Sequence, residues 1–214
     1  MERIAILGAG DLGLSLKTYL EDRGEHRFVG FLDDGRPRGE SAHGAEVLGT
    51  SAEAEGLAKR GAFDRLVYAI GYRDFDRRAR LFDELKKRGI AFLGVRHPTA
   101  FVHRTARVGD GVHLFPGVLV DMECELEDNL VLNTGVILAH HAIVRSHGYF
   151  GPGAKVAGFT EIGRACFVGL GASIIEKIKV GDGCVVAAGA VVTESAPAYS
   201  LLAGVPAVVK KTLR

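Results

Sequence analysis

Three histidines lie close together in the second half of this sequence and suggest proton-transfer chemistry. His140 and His141 are adjacent in the segment ILAHHA, and His147 follows in IVRSHG. Imidazole is the side chain best suited to take up and release a proton at neutral pH, so this cluster can supply a general base. The remaining histidines have no companion motif and are expected to be surface or packing residues. They are His26, His43, His97, His103 and His113.

A glycine motif near the start suggests the binding of phosphate. The apolar run RIAIL leads into Gly8-x-Gly10-x-x-Gly13, and the next residues have the pattern of a helix ending at Gly24. Backbone NH groups at such a helix start can hold phosphate. Asp33 ends the following apolar run, where a carboxylate can accept a hydrogen bond from a ribose hydroxyl. A nucleotide, a dinucleotide cofactor such as NAD, and a tight turn without any ligand all fit these residues.

The elements around the glycine motif alternate between strand and helix. The apolar segments RFVGFLDD, EVLG, RLVYAIG and IAFLGV are expected to be strands, with helices over residues 51–59 and 74–88. Such alternation is typical of a parallel sheet. We therefore expect residues 1–97 to form a Rossmann-like α/β domain.

The second half is built on a repeat of six residues. Sixteen units follow one another from Phe101 without an insertion, and the second place of every unit is apolar, from Val102 to Val192. A helix would show spacings of three and four and a flat strand a period of two, so a strict six requires short strands joined by turns. Three units make one coil of a triangular prism, and each coil rises by roughly 4.8 Å. Residues 98–214 are therefore predicted to form an all-β parallel helix.

Composition and charge exclude several classes of function. A net charge of +1 gives no general attraction to nucleic acids or anionic membranes, so neither is expected as a partner. The first apolar run is too short for a signal peptide and no later segment reaches the roughly 18 residues of a membrane span, which favours a soluble cytoplasmic protein. The three cysteines lack a C-x-x-C motif and all occupy the small sixth place of a repeat, so we expect buried packing residues.

The repeats, with the closing Gly204-Val205-Pro206-Ala207, resemble the left-handed β-helix acyltransferases. The preceding segments ILGAGDLG, GFLDD and AIG make the whole layout similar to sugar O/N-acyltransferases of the sialic acid and bacillosamine type. This resemblance implies a left-handed helix, a homotrimer, and acetyl-CoA bound in clefts between the prisms of neighbouring subunits. It also implies that the N-terminal domain holds the nucleotide part of a nucleotide-activated sugar.

The resemblance carries the sugar-nucleotide site onto residues of the first half. Gly10, Asp11 and Leu12 would line the phosphate turn, Asp33 and Asp34 would meet the nucleoside, and Gly71 would end the third long strand. Many relatives have Gly-His in place of Asp11-Leu12. The usual contact to the sugar phosphates is therefore expected to differ in this chain.

The resemblance also assigns the base. In the family Asn-Thr is followed, after five residues, by a histidine and an acid, and Asn133, Thr134 and His140 match that spacing. His140 is thus the expected general base and Asn133 an expected polar contact. His141 stands where relatives have the acid that orients the base. A carboxylate of the preceding coil or of a neighbouring subunit is the alternative, and the candidates are Asp121, Glu123 and Glu125.

For acetyl-CoA the resemblance implies contacts that are mostly to backbone. Gly158, one coil after His140, is expected to leave room for the pantetheine arm, and Leu170 and Ala188, likewise one coil apart, to continue a stripe up the prism. Amide groups along such a stripe can stabilise an oxyanion.

Side chains near this path have open assignments. Relatives often carry a histidine opposite the thioester where this chain has Tyr149, and that role would pass to Tyr149 or to His147. In the tail, Lys210, Lys211 and Arg214 would either reach the CoA phosphates or lie in solvent.

Together these features predict an acetyl-CoA-dependent acetyltransferase acting on the amino group of a nucleotide-linked amino sugar, within the synthesis of surface polysaccharide or glycan. A sialic acid type O-acetyltransferase and a non-catalytic scaffold that binds nucleotide sugars are the alternatives. No metal is expected, because the histidine spacing lacks the H-x4-H pair expected for a zinc site on such a prism.

Overall fold

The structure, a computed structural model, describes residues 1–213. The chain divides into two compact units, Met1–Val95 and a second that begins at Arg96. The division thus falls two residues before the boundary expected from the sequence.

The first unit is an α/β domain built around one small sheet. Its elements are β1 (Arg3–Leu7), α1 (Asp11–Arg23), β2 (Arg27–Leu32), β3 (Ser41–Ala42), β4 (Ala45–Gly49), α2 (Ala54–Lys59), β5 (Arg65–Tyr68) and α3 (Phe75–Lys87). The strand order is β3-β4-β2-β1-β5, with β4, β2, β1 and β5 parallel and β3 antiparallel to β4. The parallel arrangement agrees with the alternation of strand and helix in the sequence.

Two elements of this unit differ from the sequence expectation. The helix expected over residues 51–59 opens as a 3-10 turn, Ser51–Glu53, because Thr50 and Glu53 form a capping box that precedes α2. The segment IAFLGV makes only an isolated bridge between Leu66 and Phe92 instead of a full strand. Its Phe92 ring is buried and stacks on Phe82, with ring centroids 4.1 Å apart. Both the bridge to Leu66 and packing in the core therefore hold this segment.

The second unit is a parallel β-helix whose strands begin at the first place of every predicted repeat. The strands are β6 (Phe101–Val102), β7 (Arg107–Val108), β8 (His113–Leu114), β9 (Leu119–Val120), β10 (Glu125–Leu126), β11 (Val131–Leu132), β12 (Ile137–Leu138), β13 (Ile143–Val144), β14 (Tyr149–Phe150), β15 (Lys155–Val156), β16 (Glu161–Ile162), β17 (Phe167–Val168), β18 (Ser173–Ile174), β19 (Lys179–Val180), β20 (Val185–Val186), β21 (Val191–Val192), β22 (Ser200–Gly204) and β23 (Ala207–Thr212). The second-place side chains are buried in every coil after the first, which explains their uniform apolar character.

The strands form the three faces of a prism. Face 1 contains β6, β9, β12, β15, β18 and β21, face 2 contains β7, β10, β13, β16 and β19, and face 3 contains β8, β11, β14, β17, β20 and β22, with β23 antiparallel to β22 at its edge. Neighbouring strands of a face are parallel up to β21 and pair residues one coil apart, as Ile137 pairs with Lys155. Residues in equivalent places of successive coils therefore stack on one another.

Three columns of turns form the corners of the prism. The first corner leads from face 1 to face 2 and includes residues 121–124, 139–142, 157–160 and 175–178. The second corner leads from face 2 to face 3 and includes residues 127–130, 145–148, 163–166 and 181–184. The third corner leads from face 3 to face 1 and includes residues 133–136, 151–154, 169–172 and 187–190.

The three cysteines are buried at corners and carry free thiols, as the sequence predicts. Cys166 and Cys184 lie on adjacent coils of the second corner. Their thiols donate to the carbonyl oxygens of Gly181 and Pro197, each at 3.1 Å. Burial raises the pKa of the Cys124 thiol. Within residues 1–213 no helix is both long and apolar enough to cross a membrane.

Candidate functional site

The glycine turn of the first unit combines two glycines that packing requires with one that it does not. Gly8 has φ +106°, and a Cβ there would lie 2.7 Å from the carbonyl oxygen of Ala69. A Cβ on Gly13 would overlap the carbonyl oxygen of Gly8, so α1 packs against β1 only through a glycine. Gly10, the N-cap of α1, has nothing within 4 Å of its Cβ position. The open space at Gly10 is therefore the part of the motif that a ligand can use.

Asp33 lies beside this turn, since its carboxylate accepts a hydrogen bond from the Ala9 amide at 2.7 Å and one from the Gly35 amide at 2.8 Å. Asp34 faces another way. It accepts from the amide and hydroxyl of Ser51 at 2.7 and 2.9 Å and pairs with Arg77 at 3.2 Å. Both carboxylates thus hold the loop that follows β2 in place. Of the two, Asp33 contacts the glycine turn.

The other predicted residues of this unit gather at the same edge of the sheet. Asp11 is exposed and Leu12 half-buried at the first turn of α1, which follows the carboxyl end of β1. Gly71 comes shortly after β5 and has open space at its Cβ position. Because β1, β2 and β5 are adjacent and parallel, their carboxyl ends share one edge, where α/β sheets bind ligands.

In the second unit, His140 and His141 form a pair at the first corner. Their Nδ1 atoms are 3.3 Å apart, and the two rings meet edge to face with centroids 5.4 Å apart. Both side chains are exposed. One Nδ1 of such a pair must carry the proton that the other accepts, so the pair fixes one tautomer of each ring. If the proton is on His140 Nδ1, Nε2 of that ring is the nitrogen available to act as a base.

Gly158 lies against the His140 ring. Its Cβ position lies 2.7 Å from Cε1 and 3.0 Å from Nε2 of His140. The imidazole therefore occupies the space that the missing side chain leaves, and Gly158 as a contact of the pantetheine arm stays a prediction. A side chain at position 158 would displace the His140 ring from this position.

The carboxylates considered as substitutes for the family acid lie one coil before the pair. Asp121 accepts from the amide of Met122 at 2.7 Å, and Glu125 forms an ion pair with Arg107 on face 2. Glu123 is exposed at the first corner, one coil before His141. The side-chain hydrogen-bond contact of His140 is instead with His141.

Asn133 and Tyr149 form a second polar contact, away from the histidine pair. Asn133 lies at the third corner, and its Nδ2 donates to the Tyr149 hydroxyl at 3.3 Å. Tyr149 is largely buried on face 3, where its ring stacks on Phe167. Face 1 separates this contact from His140 within one chain. The structure therefore groups Asn133 with Tyr149 and not with the base.

His147 does not belong to the exposed cluster that the sequence suggests. It is fully buried at the second corner, and its Nδ1 lies 2.8 Å from Nδ2 of the equally buried Asn129, one coil earlier. The alternative that His147 faces the thioester is therefore wrong, because its ring is committed to the interior of the prism.

The expected CoA stripe is divided between two corners. Leu170 and Ala188 are exposed and stack on adjacent coils of the third corner, where the Gly189 amide donates to the Leu170 carbonyl. Gly158 lies instead at the first corner, where the Lys177 amide donates to its carbonyl. A single stripe through all three residues is thus wrong, and face 1 lies between the two groups.

Two further surfaces of the second unit are formed by the C-terminal strand and by the end of the prism. Lys210 and Lys211 are exposed on β23, whereas Arg214 lies outside the described residues. Among residues 1–213 no three His, Cys, Asp or Glu side chains are grouped so as to hold a metal ion. A cavity of about 550 Å³ at the end of the prism is lined by Lys179, Gly181, Asp182, Ser195, Ala196, Pro197 and Ala198, none of them a predicted site residue.

Two residues near the sites were missed by the sequence analysis. Phe159 contacts both rings of the histidine pair, and its position one coil after His141 is the signal that could have found it. His43, expected to be a surface or packing residue, is exposed and places its Nε2 3.0 Å from the carbonyl oxygen of Ala9 in the glycine turn. No spacing in the sequence signals that contact.

Two family models match the chain. The PglD N-terminal domain matches residues 3–85, and the hexapeptide repeat of succinyl-transferase matches residues 160–194. The first match lies in the α/β unit and the second in the β-helix.

Solved structures resemble the chain over nearly its whole length. A mutant of perosamine N-acetyltransferase from Caulobacter crescentus, in complex with CoA and GDP-perosamine, is 27% identical with a TM-score of 0.91, over 99% of this chain and 98% of that chain. The acetyltransferase domain of PglB from Neisseria gonorrhoeae, in complex with acetyl coenzyme A, is 27% identical with a TM-score of 0.88, over 97% and 98%. WeeI from Acinetobacter baumannii shares the fold at 24% identity, with a TM-score of 0.80 over 98% and 100%. The expected α/β domain followed by a left-handed β-helix is thereby confirmed.

Proposed function

We propose that this chain, which belongs to the hexapeptide-repeat sugar acyltransferases with a PglD-type N-terminal domain, is an acetyl-CoA-dependent N-acetyltransferase of a nucleotide-linked amino sugar. The observation that carries the proposal is the exposed His140 ring, whose Nδ1 is held by His141. It is supported by the similar enzyme from C. crescentus, which was solved with CoA and GDP-perosamine.

In the proposed reaction His140 acts as the general base. Its Nε2 takes a proton from the amino group of the acceptor sugar as the nitrogen attacks the thioester carbonyl of acetyl-CoA. The C–N bond forms and the C–S bond breaks, and the proton passes from His140 to the departing thiolate. The products are an N-acetylated sugar nucleotide and CoA. No covalent intermediate with the protein is needed.

His141 takes the place of the family carboxylate in this scheme. It accepts the Nδ1 proton of His140 and so keeps the Nε2 lone pair free for the acceptor. A neutral imidazole stabilises the imidazolium that forms less than a carboxylate would, because it carries no negative charge. The proposal is that the pair retains the orienting function of the acid and loses part of its electrostatic function.

The two substrates are proposed to bind to different parts of the chain. The nucleotide would lie at the sheet edge that carries Gly10, Asp11, Leu12, Asp33 and Gly71, with Asp34 supporting the loop through Ser51. Acetyl-CoA would bind along the β-helix, near His140 and near the exposed Leu170 and Ala188 of the third corner. Tyr149 and Asn133 would supply polar contacts there.

We further propose a homotrimer. The first and third corners lie on opposite sides of face 1 in one chain, so a neighbouring copy would be needed to bring Asn133 and Tyr149 toward a histidine pair. Free, buried thiols are consistent with a cytoplasmic setting, and the product would enter the synthesis of surface polysaccharide or glycan.

A substrate screen tests the proposed function. Thermal shift is measured with a panel of nucleotide sugars, each with and without acetyl-CoA, and positive pairs are assayed for CoA release. We expect turnover only with a nucleotide-linked amino sugar, and a product that keeps its acetyl group in mild base, as an amide does. Loss of the acetyl group would identify an ester and hence the O-acetyltransferase. Turnover of a free sugar acid without a nucleotide would point the same way, and binding without turnover would identify the scaffold.

A further inference from the structure

Phe159 stands beside the histidine pair on the first corner. Its ring stacks on the His141 ring with centroids 4.6 Å apart and planes 24° apart, and meets the His140 ring edge to face with centroids 5.2 Å apart. The side chain is 52% exposed, so it fills no core position. The only rings it contacts among those described for this corner are the two imidazoles.

Phe159 adopts a backbone conformation that glycine adopts more readily than other residues. The fifth place of most of these repeats adopts positive φ, and the third corner has glycine there in five successive coils, at residues 117, 135, 153, 171 and 189. The first corner instead has Glu123, His141, Phe159 and Lys177, with φ between 56° and 60°. A non-glycine residue in this region is strained, and Glu123 and Lys177 share that strain with Phe159. Folding alone would favour glycine at position 159.

Gly158 and Phe159 act on the pair from two directions. Gly158 provides the space into which the His140 ring settles, and Phe159 covers one face of the His141 ring. An exposed imidazole without such a neighbour rotates freely between rotamers. With His141 free to rotate, the Nδ1 contact at 3.3 Å would be made only part of the time.

We infer that Phe159 is a positioning residue, which holds His141 against His140 and so keeps the base in one tautomer and orientation. The inference rests on the proposed function for its catalytic consequence. The ring contacts themselves do not depend on it.

The test compares Phe159→Gly with the matched control Lys177→Gly, one coil further along the same corner. Both substitutions relieve a positive φ, so both proteins should keep or raise their thermal midpoint. Phe159→Gly should lower kcat by about 10-fold or more, as expected when a general base is less well held, with little change in the KM of acetyl-CoA. Lys177→Gly should leave kcat unchanged, and Phe159→Tyr should restore it, because the stacked ring is kept.

A double mutant shows whether Phe159 acts through His141. In a His141→Ala background, Phe159→Gly should lower kcat by much less than it does in the wild type, because the ring it holds is gone. Full additivity of the two effects, or a normal kcat for Phe159→Gly, would overturn the inference.

A measurement without substrate separates this inference from the proposed function. In protein with ¹⁵N-labelled histidine, the ring nitrogens of His140 and His141 should report one fixed tautomer each in the wild type and in Lys177→Gly. In Phe159→Gly they should report a mixture. Identical spectra in all three proteins would overturn the inference, whereas a failed acetylation assay with the expected spectra would count against the proposed function alone.

Discussion

At the scale of single residues, the histidine pair replaces the usual histidine and acid by two groups that can each gain or lose a proton. The Nδ1 contact of His140 and His141 can carry only one proton between the two atoms. A second proton there would place two donors against each other and break the contact. In the proposed mechanism the pair would therefore hold the base less securely than a carboxylate would.

The effects of substitutions on kcat should distinguish the roles of His140 and His141. His140→Ala should lower kcat by roughly 10²- to 10⁴-fold, the usual contribution of a positioned base, with CoA binding nearly unchanged. His141→Ala should have a smaller effect, because its ring only orients the base. His141→Glu should retain or raise kcat, since a carboxylate both orients and stabilises the imidazolium.

Steady-state kinetics with both substrates, and the pH profile of kcat/KM for His141→Glu, measure these effects. Normal turnover in His140→Ala together with an inactive His141→Ala would show that His141 is the base. The buried His147 serves as a negative control for direct catalysis. Its replacement should act through the thermal midpoint.

At the scale of elements, the glycine turn shows which glycines of the motif serve packing and which one leaves open space. Gly13→Ala should destabilise the fold by roughly 1–3 kcal/mol, because its methyl group forces α1 away from β1. Gly10→Val should keep stability within about 1 kcal/mol, since its side chain enters open space. It should raise the KM of the acceptor and leave that of acetyl-CoA alone. Equal weakening of both substrates in a folded Gly10→Val protein would contradict the assignment of two sites.

Face 2 and the adjoining second corner carry a ladder of ion pairs across four successive coils. Arg145 pairs with Glu127 at 2.9 Å and with Glu161 at 3.0 Å, and Lys179 pairs with Glu161 at 3.2 Å. Burial raises the pKa of Glu127, but hydrogen bonds from Arg145 and Ser146 outweigh it, so the pKa lies below its ordinary value. A carboxyl group with a lowered pKa stabilises the folded state above its unfolded pKa, and this contribution is lost as the pH falls through the folded value.

Arg145→Met should therefore lower the thermal midpoint at pH 7, by an amount that corresponds to no more than about 1 kcal/mol because the pairs are partly exposed. The difference from the wild type should shrink as the pH falls below the ordinary Glu value of 4.5. It should also shrink at high salt. A difference that is independent of pH and salt would mean that Arg145 acts through packing of its methylene stem.

At the scale of the whole molecule, the three faces of the prism differ in what they offer to a second copy. Face 2 carries the paired charges. Face 1 exposes Phe101 and Leu119, and the first corner exposes Met122, with exposed fractions of 53%, 37% and 46%. Exposed apolar side chains on a flat β surface favour association. Face 1 is thus the face on which a trimer would be built.

Light scattering at micromolar concentration should give three times the mass of one chain. Leu119→Glu should shift the mass toward one chain and remove activity together with assembly, while Arg107→Ala on face 2 should leave the trimer intact. A monomeric wild type with full activity would overturn the trimer and the need for two chains at one site.

The period of the β-helix could be predicted without the fold, because the sixteen repeats run without an insertion and each has an apolar second place, which is buried in every coil after the first. The parallel α/β unit and the glycine turn could be predicted as well, since their steric needs are local. The length of a coil, three repeats, was enough to place His140 beneath Gly158. The offset of two repeats from Gly158 to Leu170 already placed these two residues at different corners.

Where the side chains point and what they contact became clear only from the packing of the folded chain. The His140 ring fills the space over Gly158, His147 turns inward to Asn129, and Asp34 is committed to Ser51. The segment IAFLGV makes an isolated bridge instead of a strand, and its Phe92 ring stacks on Phe82. In each case the outcome depends on partners that compete for the same side chain, many of them distant in sequence. A repeat or a motif specifies the backbone position without specifying which partner the side chain takes.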